Sequence, residues 1–271
     1  MTPSAISHQI KTLEEFLGAP LFRREKRRTL LTPAGEKYLT AVEHALDEIE
    51  LATRRLMASP NNNVVNISVV PAFLTRWLVP RIRQFQEQYP DVELRLSAST
   101  GLVDFNHSDT DMAIYFGRGE WENVEMLYLR EVNLVPVCSP KLLEGDTPLC
   151  SVEDLPHHTL IQVTSRLDEW ELALEKTGIS TAQITKTLTF SSTSLAISAA
   201  IEGVGIALTD RELVEREIEF GQLIIPFNLR IETHKAFYLV YQQGRQLSRG
   251  MQAFYNWISE EIGLKNSNVG H

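Results

Sequence analysis

The residues best suited to contact nucleic acid lie at the start of the chain, from Thr2 to Thr32. Thr2 and Pro3 predict the start of a helix, because a hydroxyl caps free N–H groups and proline fits the first turn. We expect one buried stripe at helical spacing, formed by Ile6, Ile10, Leu13 and Leu17. On the other face, short hydroxyls, an imidazole and an amine suit phosphates and base edges. The predicted DNA contacts from this helix are Thr2, Pro3, Ser4, Ser7, His8 and Lys11.

A basic hairpin follows this helix. Gly18 is expected to end the helix, and a short apolar strand at Leu21 and Phe22 leads into a turn of arginines and a lysine. A helix followed by a basic hairpin is typical of the recognition helix and wing of a winged helix-turn-helix. The basic run alone fits a solvated charged hairpin equally well, so the combination carries the prediction. The predicted DNA contacts here are Arg23, Arg24, Arg27 and Arg28.

Positive charge is concentrated in this segment. The chain of 271 residues has 26 Lys+Arg and 35 Asp+Glu, a net charge of -9. Residues 1–37 hold seven Lys/Arg and four Asp/Glu, a balance of +3, which leaves 19 against 31, a balance of −12, for the remainder. Since phosphates attract the first part and repel the second, we predict a small nucleic-acid module joined to a larger acidic domain.

A long helix is predicted over 33–57, because Thr32 and Pro33 repeat the cap-and-proline start. Its apolar residues alternate steps of four and three, which is a heptad seam typical of helices that pair along their length. An amphipathic helix packed on its own domain is the alternative. The predicted dimerisation residues are Tyr38, Val42, Ala45, Ile49, Ala52 and Leu56.

Residues 58–63 lack periodicity and contain Pro60 and three asparagines, so we predict a hinge. Beyond it, strands and helices alternate, which indicates an α/β fold with parallel sheets covered by helices. We predict strands over 64–70, 92–98, 112–116, 132–137, 159–163, 185–190, 206–209 and 236–241. Helices are predicted over 76–89, 168–177, 194–203 and 246–263, before a tail at 265–271.

Several features of the sequence exclude other classes of protein. No run of about 18 apolar residues and no secretory leader is present, so we expect a cytoplasmic protein without a membrane partner. Two cysteines, Cys138 and Cys150, do not make a disulfide framework; reduced thiols or a redox pair are the alternatives. No nucleophile motif, nucleotide-binding loop or metal-ligand spacing is found, so we expect no enzyme, no cofactor and no metal.

The segments TPSAISHQIKTLEEFLGAPLFRR and LLTPAGE resemble the second half of the DNA-binding domain of LysR-type transcriptional regulators, closest to the glycine-cleavage-activator-like subgroup. In that family the recognition helix follows two further helices, whereas this sequence begins at the recognition helix. We therefore expect a partial winged helix-turn-helix over 1–32 that is loosely ordered or repacked. Specific operator binding is then expected to require upstream residues.

The resemblance continues through VVPAFLTRWLVPRIRQFQEQYPDVELRL, DTDMAIYFGRGEW, EVNLVPVCSPKLL, SSTSLAISAAIEGVGIAL and KAFYLVY. It implies a two-lobed, periplasmic-binding-protein-like effector domain over 64–264. The first lobe would take 64–138 and 242–264, and the second 139–241. It also implies a linker helix that dimerises, with tetramers formed through the effector domains.

A ligand cleft between the lobes is implied by the same resemblance. Helix N-termini and hydroxyls favour small anions there, and two places qualify. One is the start of the helix after residue 190; the other is 71–75, where the subgroup commonly has serine at the position of Ala72. Hydroxyls that only cap a helix are the alternative, and Arg118 is either a counter-charge or a surface residue. The predicted effector contacts are Ala72, Phe73, Thr75, Arg118, Ser192, Thr193 and Ser194.

Three functions remain to be compared. The leading prediction is a ligand-responsive transcriptional regulator that binds double-stranded DNA and a small anionic metabolite as a homodimer or homotetramer, with RNA polymerase a candidate partner. The alternative is a solute- or effector-binding module without sequence-specific DNA binding, because of the partial N-terminal domain. An enzyme on a two-lobed scaffold is the third. The basic helix and hairpin favour the regulator, since fold alone does not decide function.

Overall fold

The computed structural model describes residues 3–25, 28–57 and 63–263. Its contacts divide the chain into an N-terminal unit, residues 1–59 with 106–108, and a C-terminal unit, residues 60–105 and 109–271. The predicted positions Thr2 and Arg27, most of the hinge at 58–63 and the tail at 265–271 lie outside the described residues.

The N-terminal unit contains the predicted helix, hairpin and long helix. These are α1 (Pro3–Leu17), the antiparallel strands β1 (Phe22–Glu25) and β2 (Arg28–Leu31), and α2 (Pro33–Met57). Gly18 follows α1 with a φ of 64°. Glycine adopts this left-handed conformation without a steric cost, so the predicted end of the helix is confirmed.

Short contacts fasten the hairpin to both helices. The carboxylate of Glu14 accepts hydrogen bonds from the N–H of Leu21 at 2.7 Å and of the next residue at 2.9 Å. The hydroxyl of Thr32 donates to the carbonyl of Pro20 at 2.7 Å and accepts from the N–H of Gly35 at 3.0 Å. A Cβ atom on Gly35 would lie 2.1 Å from the carbonyl oxygen of Leu21. Glycine is therefore required where α2 passes the hairpin.

The spacing of the apolar residues on α1 predicts a buried stripe, but the stripe is not buried within this unit. Ile6 and Leu17 are 46% and 37% exposed, and Ile10 and Leu13 are half-buried. The spacing correctly groups these residues on one side of the helix, but periodicity does not supply a surface to cover them. Among the described residues of this unit, Leu21 is the buried hydrophobic residue.

The C-terminal unit is built on one mixed sheet of eight strands in the spatial order β4-β3-β5-β10-β6-β9-β7-β8. β3 is parallel to β4 and β5, and β7 is parallel to β8 and β9. The strands are β3 (Val64–Val69), β4 (Glu93–Ala98), β5 (Met112–Gly117), β6 (Val124–Val137), β7 (Leu160–Val163), β8 (Thr187–Phe190), β9 (Ile206–Asp210) and β10 (Ile231–Gln242).

Two long antiparallel strands, β6 and β10, lie side by side at the centre of the sheet. β10 pairs with β5 from Ala236 onwards, and β6 pairs with β9 from Leu134 onwards. We call the part around β3, β4 and β5 the first lobe and the part around β7, β8 and β9 the second lobe. The α/β, two-lobed fold with two crossover strands is therefore confirmed, while the predicted lobe boundaries stay a prediction.

Both crossover strands are longer than predicted. The β6 prediction over 132–137 missed its first half, in which a short apolar run at 126–129 lies between charged residues and many side chains are exposed. The β10 prediction over 236–241 missed the residues before an irregularity between Glu232 and Ala236. His234 has a φ of 53° in that interval. Such a conformation in a non-glycine residue indicates a bulge that redirects the neighbouring side chains.

The helix predicted over 76–89 starts earlier and is not uniform. It runs as α3 (Pro71–Phe73), a π-helical turn at Leu74–Leu78, a 3-10 turn at Val79–Arg81 and α4 (Ile82–Gln88). Pro80 lacks an N–H and would clash with a carbonyl four residues back in a regular α-helix, which accounts for the wider turn before it.

The remaining helices cover the sheet. They are α5 (Asp168–Thr177), α6 (Thr193–Ile201), α7 (Glu215–Glu219) and α8 (Arg249–Glu261). Fully buried Phe85 of α4 contacts two rings of α8, with centroid distances of 5.3 Å to Trp257 and 5.9 Å to Phe254. This aromatic cluster packs α4 against α8.

Candidate functional site

A cavity of about 290 Å³ lies between the two lobes. Its walls come from the carboxyl ends of β3, β5, β7, β8 and β9, where parallel strands place their following loops at one edge. The volume is at the small end for ligand sites, which suits a small metabolite. The lining residues are Val70, Pro71, Ala72, Thr100, Phe116, Gly117, Val132, Leu134, Val163, Ser165, Arg166, Ser191, Ser192, Thr193, Thr209, Asp210, Leu213, Lys235 and Phe237.

The N-terminus of α6 forms one wall of this cleft. β8 ends at Phe190, and the chain enters the helix through Ser191 and Ser192. The hydroxyl of Ser192 accepts from the N–H of Leu195 at 3.5 Å, so Ser192 is the N-cap. Free N–H groups and the helix dipole at this end favour a negative charge in the cleft.

Arg166 supplies a cation beside this helix end. It lies just after β7, and its side chain is 10% exposed. Its Nη2 donates to the hydroxyl of Thr193, its Nη1 donates to the Oε1 of Glu169 at 3.2 Å, and its Cζ lies 5.4 Å from the ring centroid of Phe116. The guanidinium is therefore held in one orientation by three different groups.

Lys235 supplies a second cation from β10. Its Nζ lies 5.9 Å from the ring centroid of Phe116 and 3.8 Å from the Oδ2 of Asp168. The bulge before it is held by Thr233, whose hydroxyl donates to the carbonyl of Val132 at 2.8 Å and accepts from the N–H of Lys235 at 3.2 Å. The irregularity in β10 thus directs a positive charge to the same aromatic ring that Arg166 contacts.

Acidic residues at the start of α5 lie behind these cations. Glu169 is 4% exposed. Burial raises the pKa of its carboxyl, while the charges of Arg166 and Lys235 oppose that rise and Asp168 adds to it. The cations of the cleft are therefore partly compensated by carboxylates on the side away from the cavity.

The floor of the cleft holds a second ion pair. Asp210 is 4% exposed; its Oδ2 accepts from the Nη1 of Arg130 at 2.8 Å and its Oδ1 accepts from the N–H of Glu212 at 2.9 Å. The hydroxyl of the adjacent, fully buried Thr209 has no hydrogen-bond partner among the described residues. A polar ligand atom at this depth would meet one satisfied carboxylate and one hydroxyl with free bonding capacity.

The structure brings together three of the predicted effector residues. Ala72, Ser192 and Thr193 line the cleft. Thr75 and Ser194 lie outside that lining, with 3.4 Å between their hydroxyl oxygens, and so join the first-lobe helical run to α6.

Two predicted residues lie elsewhere. Phe73 is fully buried and stacks on Trp77, with 4.7 Å between ring centroids. Arg118 is exposed in the turn after β5. Sequence reasoning missed the cations Arg166 and Lys235. The position of Arg166, just beyond a predicted parallel strand, was a usable signal, whereas nothing in the local sequence marks Lys235.

The predicted DNA-contacting side chains that are described share one property: all are exposed. They are Ser4, Ser7, His8 and Lys11 on α1 and Arg23 on β1. The Nζ of Lys11 lies 3.7 Å from a carboxylate oxygen of Glu15, an exposed pair of the kind that contributes little stability. The side chains of Pro3, Arg24 and Arg28 lie outside the described part of the chain.

The predicted seam lies on α2. Tyr38 and Val42 are half-buried, Ala45 is exposed and Ile49 is 62% exposed. Leu46, outside the seam, is also 59% exposed. A helix with this much apolar surface uncovered has area available for a partner. The side chains of Ala52 and Leu56 lie outside the described residues.

The described residues were also compared with the requirements of metal sites and membrane spans, and they meet neither. No group of three or more His, Cys, Asp or Glu side chains there is arranged to hold a metal ion. None of the described helices is long and apolar enough to cross a membrane. Cys138 and Cys150 are free thiols, the first buried and the second exposed.

Two family models match the chain. The model of the LysR substrate binding domain matches residues 58–263, and the model of the bacterial regulatory helix-turn-helix protein, lysR family, matches residues 1–36. The second match favours a DNA-binding regulator over a binding module that lacks a DNA-binding segment.

Named relatives agree with these models. The chain is 38% identical over 258 residues to the glycine cleavage system transcriptional activator of Escherichia coli strain K12, covering 95% of this chain and 84% of the relative. It is 34% identical over 266 residues to the transcriptional activator AmpR of Pseudomonas aeruginosa, covering 98% and 88%.

Solved structures have the same architecture. The effector domain of AmpR of Pseudomonas aeruginosa matches with a TM-score of 0.64 and 31% identity, over 74% of this chain and 96% of that one. CrgA of Neisseria meningitidis, a LysR-type transcriptional regulator, matches with a TM-score of 0.62 and 25% identity, over 97% and 90%.

Proposed function

Because this chain belongs to the LysR family of bacterial transcriptional regulators, we propose that its N-terminal unit binds operator DNA and that its C-terminal unit responds to a small anionic metabolite. The regulator works as a homodimer or homotetramer. RNA polymerase is a candidate partner, and action on DNA places the protein in the bacterial cytoplasm.

The observation that carries the effector proposal is the arrangement of Arg166 at the N-terminus of α6. A cation, a helix dipole and the Ser192 and Thr193 hydroxyls converge on a cleft that has apolar walls and small volume. Charge-assisted hydrogen bonds in such a partly desolvated site are stronger than neutral ones. A compact carboxylate, phosphate or sulfate is the ligand class that uses all of these groups.

The DNA proposal rests on the exposed polar face of α1 and on Arg23 of the hairpin. Hydroxyls and imidazole on a recognition helix contact base edges, and the cations contact phosphates. Pairing along α2 would place two such helices on one duplex, which is the arrangement that a two-fold symmetric operator requires.

The effector test uses sulfate as a minimal anion, measured by calorimetry at constant ionic strength. Replacement of Arg166 by Gln should weaken binding by about 10- to 150-fold, the range expected for a hydrogen bond to a charged group. Ser192→Ala combined with Thr193→Val should weaken it less. Arg118→Gln is the matched control, since it removes an exposed arginine outside the cleft. Equal affinity in wild type and Arg166→Gln would refute the cleft as the anion site.

The DNA test is a gel-shift titration with an operator and a scrambled duplex at two salt concentrations. Lys11→Gln should weaken binding to both duplexes and lower the salt slope by about 1, because one phosphate contact is lost. His8→Ala should instead reduce the preference for the operator. Lys37→Gln, an exposed lysine on α2, is the control. An unchanged salt slope for Lys11→Gln would place the phosphate contacts elsewhere.

A further inference from the structure

We infer that Glu169 is a positioning residue for Arg166, and that its carboxylate takes up one proton from solvent when an anion binds beside Arg166. The inference rests on the proposed anion-binding cleft and concerns how that cleft is regulated. It makes effector affinity depend on pH through a residue that does not line the cavity.

The positioning role follows from the three contacts of the guanidinium. Nη1 faces the Oε1 of Glu169, Nη2 faces the hydroxyl of Thr193 at the start of α6, and the plane lies against Phe116. Because the guanidinium is planar and rigid, fixing Nη1 fixes the direction of Nη2. Without the carboxylate, the ring and a single hydroxyl would remain to hold a long, flexible side chain.

Three charged residues act on Glu169. Arg166 approaches from the 3-10 turn after β7, Lys235 approaches from β10, and Asp168 is its neighbour on α5. With a side chain 5% exposed, Glu169 depends on the two cations to remain ionised. Burial acts against the two cations and raises the pKa of the Glu169 carboxyl, so the carboxylate takes up a proton more readily than an exposed one.

Anion binding changes this balance in one direction. An anion at Nη2 draws on the charge of Arg166 and adds a negative potential close to Glu169, so it disfavours the ionised carboxylate further. The carboxylate then takes a proton from water and becomes a carboxylic acid, with no other bond formed or broken. Since the bound state holds more protons than the free state, anion affinity rises as pH falls. One proton limits the slope to tenfold per pH unit.

The experiment titrates the full-length protein with sulfate, which stays dianionic between about pH 5.5 and 8.5, at constant ionic strength. Calorimetry in two buffers with different ionisation enthalpies counts the protons taken up by the wild type, without any substitution. We expect net uptake and an affinity that increases toward low pH.

Variants assign that proton to Glu169. Glu169→Gln keeps an oxygen acceptor for Nη1 but cannot titrate, so its sulfate affinity should be independent of pH. Glu169→Leu removes the acceptor and should weaken binding at every pH. Glu169→Asp retains a carboxyl and should restore the pH slope. Glu171→Gln is the matched control, since it removes an exposed carboxylate from the same helix and should keep the wild-type slope.

The outcomes separate this inference from the proposed function. Saturable sulfate binding that is lost in Arg166→Gln, without proton uptake in the wild type, overturns the role of Glu169 and leaves the anion cleft standing. A wild-type pH slope of the sulfate affinity in Glu169→Gln would likewise overturn the role of Glu169 and leave the anion cleft standing. No saturable sulfate binding, or binding unaffected by Arg166→Gln, overturns the cleft and this inference together.

Discussion

The ion pair between Arg76 and Glu217 joins the first-lobe helical run to α7 of the second lobe, so its loss should loosen the contact between the lobes. The side chains are 13% and 21% exposed. Breaking one side of a fully buried pair costs about 3–5 kcal/mol, and an exposed pair about 0–1 kcal/mol. Because both groups are mostly covered, we expect Glu217→Gln to lower the free energy of unfolding of the C-terminal unit by about 2 kcal/mol.

The surroundings of Arg76 explain why losing only Glu217 should cost more stability than replacing both residues. Its Nε is buried without a hydrogen-bond partner among the described residues. Removal of the Glu217 charge therefore leaves a poorly solvated cation. Replacing both residues by apolar ones of similar size, Arg76→Met with Glu217→Leu, should restore most of the loss.

Urea unfolding followed by tryptophan fluorescence measures this effect. The four tryptophans, at 77, 121, 170 and 257, all lie in the C-terminal unit, so the signal reports on that unit. The cycle compares Arg76→Met and Glu217→Leu with the variant that carries both changes. Each single change should lower the free energy of unfolding by more than the double change does, with a coupling energy of about 1–2 kcal/mol. Glu219→Gln, at an exposed position of α7, is the matched control and should change stability by less than about 0.5 kcal/mol. Additive losses in the cycle would refute the reasoning.

Two further predictions concern the α2 seam and the cysteines. Glutamate at both Val42 and Ile49 should shift the protein to smaller species in light scattering, because the charges would be buried in a paired seam. Glutamate at the exposed position of Thr40 is the control and should leave the mass unchanged. An unchanged mass for the double variant would count against pairing through α2. Burial raises the pKa of Cys138 to about 12. A thiol reagent near pH 8 should therefore modify Cys150 alone in the folded protein and both thiols in urea. Rapid reaction of two thiols without denaturant would contradict this.

Elements with strong local signals were predicted well from the sequence. α5 has the predicted bounds, because acidic residues fill its first turn and Gly178 ends it at a φ of 75°. α1 and α2 likewise begin at prolines that follow a threonine. The first half of β6 was not predicted because its pairing with β10 is long-range and is not visible in the local sequence.

The candidate site was predicted only in part for a similar reason. Hydroxyls at the start of α6 are visible in the sequence because they precede a helix. The meeting of Arg166, Lys235 and Phe116 depends on three strand ends and one bulge that are far apart in the chain. No local pattern encodes such a meeting. The assignments of effector, DNA and dimer contacts to single residues stay predictions.

Because the hairpin is held against the start of α2, a small rotation of that helix would move the hairpin over a larger distance. Thr32 and Gly35 hold the hairpin against the first turn of a helix of 25 residues, which is about 37 Å long at 1.5 Å per residue. Because of these contacts, we expect the hairpin and the start of α2 to move together. A tilt of about 10° imposed at the far end would carry the hairpin through about 6 Å, nearly two base-pair steps of 3.4 Å. If two α2 helices pair as proposed, a small change in the angle between them would therefore change the distance between the two hairpins and the operator spacing that they fit.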